Sequence, residues 1–204
     1  MADFGRLAAV LLGSYALGCI VGAYYLVRWK TGSDLRSIGS GNAGARNAGR
    51  VLGRTAFVIS LLIDAGKGAA ATWIGLQMAP APLAAVLAMA AVVIGHVWPA
   101  QLGFRGGKGA ATAIGIMLVF DPTATLLLFA AGLLMLAMTR RFTISGLTAI
   151  ALAPVAASWR AHTALEVWGL AIVAVIVVYA HRSNLLPHRK SRGDSPALQQ
   201  EPTR

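Results

Sequence analysis

Two glycine-rich strings hold most of the residues in this chain that could bind an anion. The first is Ile38-Gly39-Ser40-Gly41-Asn42-Ala43-Gly44-Ala45-Arg46-Asn47, followed closely by Arg50. Its glycines Gly39, Gly41 and Gly44 permit positive φ and close backbone approach. Ser40, Asn42 and Asn47 offer neutral hydrogen bonds, and Arg46 and Arg50 offer charge. In the second, Phe104-Arg105-Gly106-Gly107-Lys108-Gly109, the glycines Gly106, Gly107 and Gly109 surround Lys108, and an apolar helical pattern begins at once. A helix N-terminus beside a lysine favours negative charge. Bare N–H groups with fixed cations are the chemistry of a phosphate cradle. The competing reading of each string is a tight turn at a membrane surface with topogenic basic residues.

Neither string is a soluble nucleotide motif. Gly39 to Gly44 formally matches G-x-G-x-x-G, but that motif needs a preceding strand and a βαβ unit. The second string has Leu102 where a P-loop needs glycine, and Gly109 where it needs Ser or Thr. Other polar residues are few. His96 falls at the end of an apolar segment, as a helix-end cap or as a ligand to the phosphate. His181 and Asn184 are i, i+3 at another helix end and can point together into a site. Asp64 and Lys67, also i, i+3, lie inside an apolar run, where they form either an internal ion pair that fixes helix packing or a wall of the substrate cavity. Thr143 or Ser145, in Arg140-Arg141-Phe142-Thr143-Ile144-Ser145, could add a hydroxyl to a phosphate site. His162 and His188 read as loop residues. No histidine pair has metal-ligand spacing and carboxylates are scarce, so no metal is expected. No histidine is followed five positions later by Asp, no Asp-rich repeat occurs, and no Gly-x-Ser-x-Gly elbow is present.

The elements that must position these residues are membrane helices. The 204 residues are 57% hydrophobic and 12% charged, and mean hydropathy is +0.67, whereas a soluble domain is about a quarter charged. The expected fold is all-α and polytopic, with about seven spans: Phe4–Val27, Thr55–Met78, Pro82–Trp98, Ala110–Phe120, Thr123–Met138, Ile144–Ser158 and Leu165–Ala180. Basic residues test the topology. With the N-terminus outside, the inner loops 28–54, 99–109, 139–143 and 181–204 hold 15 of the 18 Lys and Arg. That is a strong positive-inside bias. It puts the C-terminus and both glycine strings in the cytoplasm. The net charge of +11 is therefore read as topology and contact with membrane lipids, not nucleic-acid binding. Cys19 is single, so no intrachain disulfide forms. The first apolar run reads as a retained helix rather than a cleaved signal. No internal repeat is evident. Residues 1–190 form one transmembrane domain, and 191–204 a disordered polar tail.

Four ordered motifs together resemble the bacterial multi-spanning acyl-phosphate:glycerol-3-phosphate acyltransferases (PlsY). They are Gly39 through Arg50; Gly95-His96-Val97-Trp98-Pro99 running into Phe104 through Gly109; Asp64-Ala65-Gly66-Lys67-Gly68; and His181-Arg182-Ser183-Asn184. The resemblance spans about residues 8–187. It implies a bacterial inner-membrane enzyme that moves a fatty acyl group from acyl phosphate to the 1-hydroxyl of glycerol 3-phosphate. The products are lysophosphatidic acid and phosphate, and neither metal nor CoA is used. It implies that Ser40, Arg50, Lys108, His181 and Asn184 line the active site. Three departures stand out. Arg46 replaces the usual Thr, the usual Arg-Tyr-x-Ser becomes Arg140 through Ser145, and the closing pattern becomes Leu186-Pro187-His188-Arg189-Lys190. Alternatives are a paralogue with another phosphorylated acceptor, a small organic-phosphate transporter, and a non-catalytic partner of a lipid enzyme. A transporter commonly carries an internal repeat.

Overall fold

In a lipid interior each backbone polar group must be satisfied within the chain, and helices do this segment by segment. The computed structural model describes residues 2–185, and among them there is no strand. The elements are α1 (Ala2–Gly18), α2 (Gly22–Thr31), α3 (Ala45–Leu52), α4 (Arg54–Gln77), α5 (Ala81–Val97), α6 (Ala110–Phe120), α7 (Pro122–Thr139), α8 (Phe142–Ala151), α9 (Ala153–Trp159), α10 (Ala164–Ala180) and α11 (Arg182–Leu185). The expected tail 191–204 and His188 lie outside the described residues. Four helical stretches are long and apolar enough to cross a membrane: α4, α5 with the turn after it, α7, and α8 with α9. The bent α1–α2 pair makes a fifth. α6 and α10 are apolar but shorter.

Apolar side chains are distributed as in a bundle surrounded by lipid. On α7, Leu126, Leu127, Phe129, Leu134 and Met138 are all more than half exposed. The buried core is made largely of small residues, with Ala84, Ala85 and Ala88 of α5 fully covered. α5 packs against α1, α4 and α10, and α4 packs against α6. Glycines set the spacing: a Cβ at Gly68 would overlap the Thr112 carbonyl of α6, and one at Gly115 would overlap the Ala65 carbonyl of α4. Close backbone approach at small residues is the usual basis of helix association in membranes.

The expected first span is not continuous. α1 and α2 meet at a 40° bend. The break frees the carbonyls of Gly18 and Ile20 and the N–H of Gly22. Lys67 Nζ donates to both carbonyls, at 2.8 and 2.6 Å. Asp64 Oδ1 accepts from Gly22 at 3.2 Å. The two side chains also meet each other at 3.1 Å. The intramembrane pair thus repairs a broken helix. The sixth segment is likewise divided at Leu152, because Pro154 enters at the start of α9 without an N–H to donate.

Connections sort into two groups. At one end of the bundle, Arg36 donates to the Leu102 carbonyl, Arg46 reaches Thr143 and Lys108 reaches Asn184. The segments before α4, before α6, before α8 and after α10 therefore meet. At the far ends of α7 and α10, Asp121 caps α7 through Ala124 N–H (2.9 Å). It also pairs with Arg160 and lies 3.0 Å from His162.

Candidate active site

The first glycine string is held by one buried amide. Asn47 is fully covered. Its Oδ1 accepts from the Ser40 N–H at 2.8 Å, and its Nδ2 donates to the carbonyls of Leu35 and Ile38 at 3.0 and 2.9 Å. Gly39 has φ 60°, and a Cβ there would strike Asn47 Oδ1. This loop needs glycine for conformation and for space. Ser40 is exposed at its tip. Arg46 and Arg50 are four apart on α3, so they share a face, and both are exposed. Asp34 secures the loop's start. It caps the turn through Arg36 N–H at 2.8 Å and grips the Arg36 guanidinium. The Arg36 side chain holds the Asp34 carboxyl down to about 2. Arg36 in turn binds the second loop at Leu102.

The second string turns back on α5. Gly106 N–H donates to the Val97 carbonyl and Gly107 N–H to the His96 carbonyl, each at 3.0 Å. These two N–H groups shape the loop and are not presented to a ligand. His96 is buried, with Nδ1 2.8 Å from Lys67 Nζ. An ammonium only donates, so Nδ1 accepts and the ring proton is on Nε2. A Cβ on Gly107 would collide with that Nε2. Gly109 takes φ 80° and caps α6 without a side-chain bond. It packs near Val177 of α10.

That packing brings Lys108 to the end of α10. Lys108 Nζ donates to Asn184 Oδ1 at 2.7 Å and to Ser183 Oγ at 3.1 Å. Partial burial, then the charge of Arg182, lowers its pKa. His181 is buried at the same corner, its Nδ1 2.8 Å from the Val177 carbonyl. The carbonyl fixes Nδ1 as the donor, which leaves the Nε2 lone pair of a neutral ring available. Burial lowers the His181 pKa. The Val177 bond opposes this, and the charges of Lys108 and Arg46 reinforce it.

Charge completes the geometry. The five described carboxylates, Asp3, Asp34, Asp64, Asp121 and Glu166, are each engaged by a basic side chain elsewhere. Among the described residues, none reaches Arg46, Arg50, Arg105, Lys108 or Arg182. Lys108 and Arg46 lie near enough to His181, and Arg182 to Lys108, for their charges to act there, so positive charge gathers at this corner with no described carboxylate to offset it, which favours an anion.

The expected residues therefore divide. Lys108, His181 and Asn184 come together, and Thr143 joins the rim through Arg46 Nη1 at 3.2 Å. Gly41 has φ 72°, and Gly44 packs on Asn42 at the start of α3. Asn47 and His96 are internal, where they act as braces. Ser145 is also buried, donating to the Arg141 carbonyl at 3.1 Å within α8. Sequence reasoning did not single out Ser183, although it lies in the closing motif beside Asn184. It also had no signal for Arg36 as the tie between the loops.

Known proteins share this chain's sequence and fold. The family model described as glycerol-3-phosphate acyltransferase matches residues 8–189. Glycerol-3-phosphate acyltransferase 1 of Desulfitobacterium hafniense (strain Y51) is 43% identical over 86% of this chain and 87% of its own length. Glycerol-3-phosphate acyltransferase of Synechococcus sp. (strain JA-2-3B'a(2-13)) is 41% identical over 94% of each chain. The crystal structure of PlsY, an integral membrane glycerol 3-phosphate acyltransferase, in its glycerol 3-phosphate form superposes with TM-score 0.82 at 28% identity, covering 88% of this chain and 90% of that one. Its lysophosphatidic acid form gives 0.79 at 26% identity, over 88% and 89%. By sequence along nearly its whole length, and by the fold of its bundle, this chain belongs to the glycerol-3-phosphate acyltransferase family.

Proposed function

We propose that this protein is a membrane acyltransferase that moves a fatty acyl group from acyl phosphate to the 1-hydroxyl of glycerol 3-phosphate, in phospholipid synthesis. The observation that carries the reading is the meeting of Lys108 with Asn184 beside neutral His181. Relatives are named for the glycerol 3-phosphate reaction, and the acyl phosphate donor follows from the resemblance. In the reaction, the acceptor hydroxyl oxygen attacks the acyl carbonyl carbon. His181 Nε2 accepts the hydroxyl proton. Lys108 and Arg50 stabilise negative charge on the carbonyl oxygen and on the departing phosphate. The carbon–oxygen bond to phosphate then breaks and His181 passes its proton to the departing phosphate, giving lysophosphatidic acid and inorganic phosphate with the ring neutral again. An acyl phosphate has a good leaving group, so positioning and electrostatics can supply most of the acceleration. Ser40, exposed at the loop tip, contributes a hydroxyl to a phosphate.

The bundle crosses the bacterial inner membrane seven times, with the N-terminus outside and the site in the cytoplasm. Support comes from the two groups of connections: the basic segments meet at one end, and the Asp121–Arg160–His162 cluster ties the other. The 11 residues of α6 reach about 16 Å, so this crossing requires local thinning. Residues 1–190 act as one domain.

The test is acyl transfer by purified protein in detergent, with palmitoyl phosphate and radiolabelled glycerol 3-phosphate. Palmitoyl-CoA is the control donor and Lys108→Ala the control enzyme. Lysophosphatidic acid from acyl phosphate alone, reduced about 10²-fold or more in the variant, supports the reading. Folded protein that forms no product overturns it.

A further inference from the structure

Arg46 is held at this site by neutral partners alone. Its guanidinium crosses from α3 to α8, where it donates once to the neutral hydroxyl of Thr143 at 3.2 Å and lies 5.3 Å from the centre of the Phe142 ring. One bond to an uncharged acceptor leaves most of the five guanidinium donors unused. No described carboxylate neutralises it. It is exposed, yet its charge acts on buried His181 together with that of Lys108. It therefore stands at the aqueous rim within electrostatic reach of the reacting corner.

Depth separates the two phosphates. The acyl donor carries a long apolar chain that must lie among the helices, so its phosphate approaches along the bundle toward Lys108. The acceptor is a small dianion that arrives from water, past the rim where Arg46 bridges α3 and α8. Resting on the acyl-transfer reading above, we propose that Arg46 is a specificity-determining residue that leaves Thr143 to grip the phosphate of the acceptor. The planar fork suits this task, since it makes two parallel N–H···O bonds to phosphate oxygens. Thr143, once released, can donate its own hydroxyl to the same group.

The experiment compares wild type, Arg46→Thr and Arg46→Lys in neutral detergent. It measures KM for each substrate by turnover, and glycerol 3-phosphate binding by calorimetry, with glycerol as the uncharged control. Arg46→Thr is expected to raise KM and Kd for glycerol 3-phosphate at least about tenfold. KM for acyl phosphate should stay within about twofold, and glycerol binding should not change. Arg46→Lys keeps the charge and loses the fork, so it should fall between. It also carries the test if Arg46→Thr fails to fold. Unchanged glycerol 3-phosphate affinity overturns the proposal, as does an equal or larger rise in the KM for acyl phosphate. A parallel series with added phosphatidylglycerol distinguishes a lipid headgroup: an Arg46 effect seen only with that lipid also overturns it. The two readings fail separately. Arg46-dependent binding without product would remove acyl transfer and leave this assignment standing. Product formation indifferent to Arg46 would do the reverse.

Discussion

His181 and Asn47 illustrate how single residues work here by different means. His181 is kept neutral by burial, with Lys108 and Arg46 adding to the effect, so its pKa lies below the ordinary 6.5. A histidine whose folded pKa is lowered leaves the proton preferring the unfolded chain. Its contribution to stability is complete above about pH 6.5 and is lost as pH falls through the folded value. The same neutrality keeps Nε2 ready as a base at pH 7. The kcat/KM profile should accordingly be flat above pH 6.5, with its acid limb displaced downward. Arg46→Thr removes a nearby cation and should move that limb toward higher pH, and an unmoved limb would contradict the shared electrostatics. His181→Gln should lower kcat by about 10²-fold or more with little effect on KM, measured in the palmitoyl phosphate assay. Asn47 performs no chemistry in this account. Asn47→Ala strips partners from one N–H and two carbonyls, each worth about 1–3 kcal/mol when left buried. The expected result is a lower thermal midpoint and a higher KM for both substrates, since the whole loop loosens.

At the level of elements, what the sequence revealed depended on whether the cause was local. Apolar runs announced α4 to α7 and α10, and α8 with α9 as a single run, because length and composition decide membrane insertion. Gly39 and Gly109 announced turns, because positive φ is a local demand. The break between α1 and α2 was hidden, since no proline marks it. The bend exists because Lys67 and Asp64, some 40 residues away in the chain, supply its missing partners. The glycines of the second string pointed to a cradle, but Gly106 and Gly107 spend their N–H groups on α5. That choice depends on the loop folding back onto the end of α5, which no spacing rule reports. Asp64, Lys67 and His96 therefore form a scaffold beneath Lys108, joined to it through the contact of His96 with Gly107. Lys67→Met should leave Asp64 buried without its counter-charge, at a cost of about 3–5 kcal/mol, seen as a large drop in thermal midpoint. Gly107→Ala should leave the bundle folded by circular dichroism and reduce turnover, because a methyl group displaces His96 and the lysine loop moves. Full activity in Gly107→Ala would remove the scaffold role.

Across the whole molecule, basic residues and inter-segment contacts fall at the same end of the bundle. The contacts Arg36–Leu102, Arg46–Thr143 and Lys108–Asn184 gather four segments at one end of the bundle. Those segments hold nearly all the basic residues, while Arg6 and Arg160 alone sit outside them and the spans. Positive charge resists transfer across a membrane, so on the proposed topology that end faces the cytoplasm. The sole cysteine, Cys19, is buried, which allows the orientation to be read from single added thiols. Ser37→Cys places one on the proposed inner face and Ala161→Cys one on the outer, both at exposed positions. An impermeant maleimide should label Ala161→Cys in right-side-out vesicles and Ser37→Cys in inverted ones. The opposite pattern would put the cations outside. Labelling of both thiols from the same side would mean that the number of crossings between them is even. In that case α6 would dip into the membrane and return, and Lys108 would have to reach its substrates from a different geometry.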